Sequence, residues 1–185
     1  MITQQAKDAF DYIVINSLKG ALSSSSDDRV EVEVIEDVKD AKEKKIVLLT
    51  VSSYLFRVMT MLYFTLNKES KQHFAAINRS DPQSMSEGDF LDVIGECGNI
   101  FCGALNRELA QHFPHLGMST PNVLDRDCVD YLQELDAGYI KHFKVAINDM
   151  VTMHASLAVC DYADIDFTVD MSSNADENNG ELEMF

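Results

Sequence analysis

The chain is short of positive charge. Lysine and arginine number 15 against 31 aspartates and glutamates, a formal net charge of −16 over 185 residues. Such a field repels phosphate backbones and anionic bilayers, so neither nucleic acid nor a membrane is an expected partner, whereas a surface presenting Lys or Arg is attracted. Cysteine is sparse as well. Cys97, Cys102, Cys128 and Cys160 form no CxxC pair, which argues against a zinc framework and for a reducing compartment. The five histidines, His73, His112, His115, His142 and His154, lack HxxxH or HExxH spacing, so no metal site and no cofactor of the chain's own is expected. A Ser-His-Asp pattern, a cysteine-nucleophile motif and a phosphate-cradling glycine loop are missing too.

The opening residues MITQQAKDAFDYIV lack the basic stretch and apolar core of a secretory signal, and a cytoplasmic location is the expectation. The one long apolar run, Ile46 to Leu66, is split by Ser52 and Ser53 and carries Arg57 near its centre. That arginine costs about 2.5–3.5 kcal/mol on insertion scales, so two adjacent strands account for the run better than a membrane span.

What remains is a sequence 46% hydrophobic and 25% charged, suited to one compact domain with a sizeable core. We expect it over residues 1–170, followed by a polar, acidic and disordered tail over 171–185 whose terminal LEMF is a possible docking peptide. Ala6, Phe10, Ile13, Val14 and Leu18 recur at helical spacing before Gly20, and RVEVEVIE alternates as a half-wet strand. KKIVLLTV and LFRVMTMLYFT read as two further strands, the second less cleanly alternating and therefore central. Asn67 caps a short helix through KESKQHFAAI, which NRSDPQS breaks. Ser84 with Glu87, or Ser86 with Asp89, opens a long helix ending near Phe113. HLGMSTPNVL reads as a strand interrupted by Pro121, RDCVDYLQEL as a short helix or loop, and YIKHFKVAI with VTMHASLAV as two strands joined at Asn148-Asp149-Met150. The order is helix, three strands, two helices, three strands.

The long helix contains DVIGECGN, Asp92 to Asn99, with two glycines that each cost about 1 kcal/mol relative to alanine. At 100° per residue, Phe90, Ile94, Cys97, Phe101 and Leu105 share one side, and Asp92, Glu96, Asn99 and Gly103 the other, with Asn106 and Arg107 flanking. An ordinary solvated face is one reading of the second stripe. The glycines favour another: Gly95, Gly98 and Gly103 remove side chains around the Glu96–Asn99 ridge, as close approach by a second macromolecule requires. For Gly98, which lies toward the buried side, tight packing on the protein's own sheet is the alternative.

Asp92, three residues, Glu96, two residues, Asn99, and then Pro121 after twenty-one more resembles the signature of the CheC, CheX and FliY group of chemotaxis phosphatases. That signature is Asp or Ser, three residues, Glu, two residues, Asn, about twenty-two residues, Pro, so the spacer here is one residue short. The resemblance implies an α+β CheC-like fold in which the long active-site helix packs on an antiparallel sheet. It implies a phosphatase acting on the aspartyl phosphate of a CheY-like response-regulator receiver in chemotaxis or two-component signalling, with Mg²⁺ brought by the receiver. By resemblance Asn99 positions the attacking water and Glu96 pairs with the receiver's active-site lysine, these two being the catalytic residues. Asp92, which supports Glu96 or meets the partner's rim, and Pro121, as a structural residue, complete what the resemblance implies; Gly103, Asn106 and Arg107 are expected as partner-binding from the polar stripe itself. The opening helix holds Asp8 and Asn16 but no Glu three residues before Asn16, so a single site is expected, as in CheX, together with the homodimer common among single-site members. The alternative is a non-catalytic adaptor of the same fold that binds a receiver or a flagellar component.

Overall fold

The computed structural model describes residues 1–171; the expected tail lies, apart from Met171, outside the described residues. Helix α1, Gln4–Leu22, opens at Thr3, whose hydroxyl accepts from the Ala6 N–H. It runs two residues beyond the expected stop at Gly20, because Ala21 and Leu22 are buried in the core and hold the last turn in place. Strand β1, Val30–Ile35, forms one edge of the sheet. Strands β2, Lys45–Ser52, and β3, Phe56–Phe64, pair antiparallel from Ser52↔Arg57 to Lys45↔Phe64. The long apolar run is thus a hairpin. No helix among the described residues is long and apolar enough to cross a membrane.

Helix α2, Lys68–Ile77, is capped by Asn67, whose Oδ1 accepts from the Ser70 N–H at 2.8 Å. Helix α3, Glu87–Leu109, takes the second of the two capping options: Ser86 and Asp89 bond each other's backbone N–H reciprocally. It ends four residues before Phe113, in a turn where the Phe113 N–H bonds the Leu109 carbonyl and the Phe113 ring is buried. The strand expected around Pro121 is two strands, β4, Gly117–Met118, and β5, Asn122–Asp125, both paired with β2. Proline has no N–H to donate to a ladder, so pairing stops and restarts around it. A 3-10 helix, Arg126–Glu134, follows. Strands β6, Tyr139–Ile147, and β7, Val151–Asp161, form the last hairpin. Its turn places Asn148 and Asp149 at φ 52° and 55°, the left-handed conformation that hairpin turns demand and these two residue types tolerate.

The seven strands form one antiparallel sheet in the order β1-β6-β7-β3-β2, with β4 and β5 both on the outer side of β2. Strand β3 is buried along its whole length except at Arg57. Its two faces serve two layers, which is why its alternation is weak in sequence. Phe56, Val58, Leu62 and Phe64 face a core with Phe10, Val14 and Leu18 of α1 and Phe90, Ile94, Phe101 and Leu105 of α3. Met59, Met61 and Tyr63 meet Val38, Ala41, Val129 and Leu132, from the 36–44 segment and the 3-10 helix, on the opposite face.

Candidate functional site

The inner side of α3 decides how its outer side is displayed. A Cβ on Gly98 would stand 2.8 Å from Val47 Cγ1 and 2.9 Å from Leu49 Cδ1, so glycine there lets the helix sit down on β2. Gly98 is therefore a packing residue. Gly95 is buried beneath Pro121, whose Cβ lies 3.9 Å from where a Gly95 side chain would begin; it does not belong to the exposed patch. Gly103 is different. Nothing lies within 4 Å of an added Cβ, so a bare, open step interrupts the outer stripe.

Glu96 is exposed and Asn99 half-buried, one turn apart. The Asn99 Nδ2 donates to Glu96 Oε2 at 3.2 Å. The structure therefore joins these two of the residues singled out in sequence. Asp92 is exposed and its carboxylate makes no hydrogen bond or ion pair among the described residues. Arg107 is exposed on the same stripe, beyond the Gly103 step, also without an ion pair among the described residues; eleven residues of helix set it about 16 Å from Glu96. Asn106 is half-buried and its Oδ1 is sealed from solvent with no hydrogen-bond partner, so that oxygen faces the protein. Pro121 is half-buried beside the helix, between β4 and β5.

Helical periodicity does not single out the neighbours of this ridge. A groove of about 620 Å³ runs between α1 and α3, lined among others by Tyr12, Asn16, Gly20, Ile100, Ala104 and Arg107. Ile100 is 45% exposed, a large apolar side chain next to Glu96 and Asn99. The signal was available: an isoleucine on an otherwise polar helix face, with small residues one turn on.

The nucleophiles nearby are unsuited to attack. Burial, with Glu96 adding its charge, pushes the Cys97 thiol up to about 12, and burial pushes Cys102 up to about 11, so both stay protonated. Ser156 lies 2.7 Å from His142 Nδ1 and 2.8 Å from the Tyr63 hydroxyl, but it is only 1% exposed and no substrate reaches it. The chemistry available at the α3 ridge is that of an exposed carboxylate tied to a carboxamide: acceptors, one donor pair, and room in front of them.

No family model matches the chain, and no curated protein matches it in sequence. Solved structures do match it. A CheC-like superfamily protein from Shewanella sp. PV-4 superposes with a TM-score of 0.56 at 14% identity, covering 85% of this chain and 98% of that one. The fold is CheC-like. The chemotaxis protein CheX from Vibrio vulnificus gives a TM-score of 0.57 at 16% identity over 82% of this chain and 97% of its own. CheX in the CheX–CheY–BeF3–Mg²⁺ complex from Borrelia burgdorferi gives 0.58 at 9% identity over 83% and 96%. Within the CheC-like fold of this chain, the α3 ridge is presented on the side of the helix opposite β2.

Proposed function

We propose that this chain is a phosphatase acting on the aspartyl phosphate of a CheY-like receiver domain in chemotaxis or two-component signalling. The observation behind this reading is the hydrogen-bonded Glu96–Asn99 pair on the open side of α3, next to the Gly103 step, in a CheC-like fold. The CheX of Borrelia burgdorferi, similar in fold, is solved with CheY, which supports a receiver as the partner.

Phosphoryl transfer passes through a loose transition state, so a protein can catalyse hydrolysis by positioning water in line and need not supply a strong nucleophile. Asn99 does the positioning, since one carboxamide both accepts and donates. Glu96 reaches the receiver's active-site lysine and orients the complex. Asp92 supports Glu96 or meets the partner's rim, while Gly103, Asn106 and Arg107 belong to the docking surface. Mg²⁺ arrives with the receiver as part of the substrate and neutralises the charge that develops on the phosphoryl group. The working form is a homodimer.

The test is Asn99→Ala, which removes a half-buried side chain from the solvent side and leaves the core intact. With a receiver loaded from acetyl phosphate, phosphate release is expected to fall about 100-fold, the scale of a lost positioning contact. An unchanged rate discards the catalytic role of Asn99. Binding of the phosphorylated receiver without any turnover by the wild-type chain makes it an adaptor instead.

A further inference from the structure

Asn99 has four neighbours one helical turn away, at positions three and four residues to either side. They are Gly95, Glu96, Cys102 and Gly103. The two glycines have no side chain to offer, and Cys102 is fully buried with its thiol in the core. Glu96 is the one polar side chain of the helix within reach, and it holds the Asn99 Nδ2 at 3.2 Å. A carboxylate only accepts hydrogen bonds, so it dictates which end of the carboxamide turns toward it. The amide nitrogen faces Glu96, and Oδ1 is left for whatever stands in front of the helix.

We infer that Glu96, beyond any contact with a partner's lysine, is the positioning residue of Asn99: it locks the carboxamide with Oδ1 outward, as a water acceptor, before the receiver arrives. One carboxylate oxygen, Oε2, performs this task, and Oε1 stays free for the partner's cation, so the lock survives docking. This also gives Gly95 and Gly103 a common consequence. Neither leaves Asn99 an alternative hydrogen-bond partner on the helix.

The inference rests on the proposed phosphatase reading for its catalytic meaning, but the lock itself is a property of the free protein. Two measurements separate them. In the first, ¹⁵N relaxation of the Asn99 side-chain amide is compared in the wild type, Glu96→Ala and Glu96→Gln, none with a receiver present. The amide is expected to be restrained in the wild type, to be restrained less in Glu96→Gln, whose amide can accept from Asn99 Nδ2 or donate to its Oδ1, and to reorient freely in Glu96→Ala. Equal restraint in the wild type and Glu96→Ala, or free reorientation in the wild type, overturns the lock whatever the protein's activity. In the second, kcat and KM are measured on the phosphorylated receiver. Glu96→Ala is expected to lose about 10-fold in kcat and to raise KM, and Glu96→Gln, which can also donate to Asn99 Oδ1 and so no longer dictates the carboxamide's orientation, to lose a smaller part of kcat while raising KM. A Glu96→Ala variant with wild-type kcat overturns the positioning role. A wild type without turnover sinks the phosphatase reading and leaves the relaxation result to decide the lock.

Discussion

Gly103→Ala should make the protein more stable, while Gly98→Ala, five residues earlier on the same helix, should not. Both glycines sit in the interior of α3, where alanine is favoured over glycine by about 0.8–1 kcal/mol. At position 103 that gain is unopposed: an added Cβ meets nothing within 4 Å, and no described glycine has a positive φ that alanine would strain. At position 98 the same methyl lands 2.8 Å from Val47 Cγ1 and 2.9 Å from Leu49 Cδ1 in the fully packed core. Overpacking of that kind costs about 1–3 kcal/mol, so the net effect is a loss of up to about 2 kcal/mol. For a chain of this size each kcal/mol moves the melting temperature by about 2–4 °C. Thermal melts, with urea midpoints at constant m as a second probe, therefore separate the two variants by several degrees in opposite directions. Failure of Gly103→Ala to stabilise would show that the step on the outer face is not open. The same position then tests docking: Gly103→Leu fills the step beside Asn99 and should block receiver dephosphorylation in a folded, stable protein. Full activity in that variant would reduce Gly103 to an accident of the helix surface, because a residue that costs stability and serves no contact has no reason to be glycine.

Chelation of Mg²⁺ in a mixture with phosphorylated receiver should stop turnover and added Mg²⁺ should restore it; a tightly bound zinc or iron in the isolated chain, lost together with activity, would replace the present reading with a metallohydrolase. Light scattering is expected to find twice the 20.8 kDa chain mass, and a monomer mass removes the homodimer. Acid stability should depend on Asp28. Hydrogen bonds from the Ser24 hydroxyl and Asn148, with the Ser24 N–H, pull its carboxyl down to about 2. A folded-state value below the unfolded one gives stability that is fully present above about pH 4 and lost as pH falls toward 2. Ser24→Ala should accordingly flatten the fall in urea midpoint across that window, and an acid limb identical to the wild type's would count against the clamp.

The sequence order of elements was readable because each signal it rests on is local. Asn67 and the Ser86–Asp89 box cap the helices they were expected to cap, and Asn148-Asp149 turns the last hairpin, since a cap or a turn is decided by a few neighbouring residues. The departures are at ends and interruptions. Helix α1 overruns Gly20 because Ala21 and Leu22 find a core on the other side of the chain, and packing of that kind outweighs the roughly 1 kcal/mol that a glycine costs. Pro121 marks an interruption in the sequence itself, whereas the pairing of both halves with β2 does not show there, because strand partners are settled by contacts distant in sequence.

The same division runs through the site. Angular spacing alone puts Asp92, Glu96, Asn99 and Gly103 on one stripe, and the structure keeps that stripe outward and joins its central pair. Which glycine is bare cannot be read from spacing, because it depends on what faces the helix: β2 closes over Gly98, the Pro121 loop covers Gly95, and Gly103 meets nothing. Nor does a single helix reveal its groove, since Tyr12 and Asn16 come to line it with Ile100 and Arg107 only through the packing of α1 on α3. Ile100 makes this concrete. At 45% exposure it is an apolar residue on a polar face, and such a residue is explained either by chance or by a partner that covers it. If the receiver docks on this face, Ile100→Ala, which removes the exposed apolar side chain and adds no charge beside Glu96, should weaken docking while leaving the Glu96–Asn99 hydrogen bond and the fold intact. A raised KM with unchanged kcat is the expected result. Unchanged KM would place the docking surface on the Pro121 side of the ridge and leave the α1–α3 groove outside it.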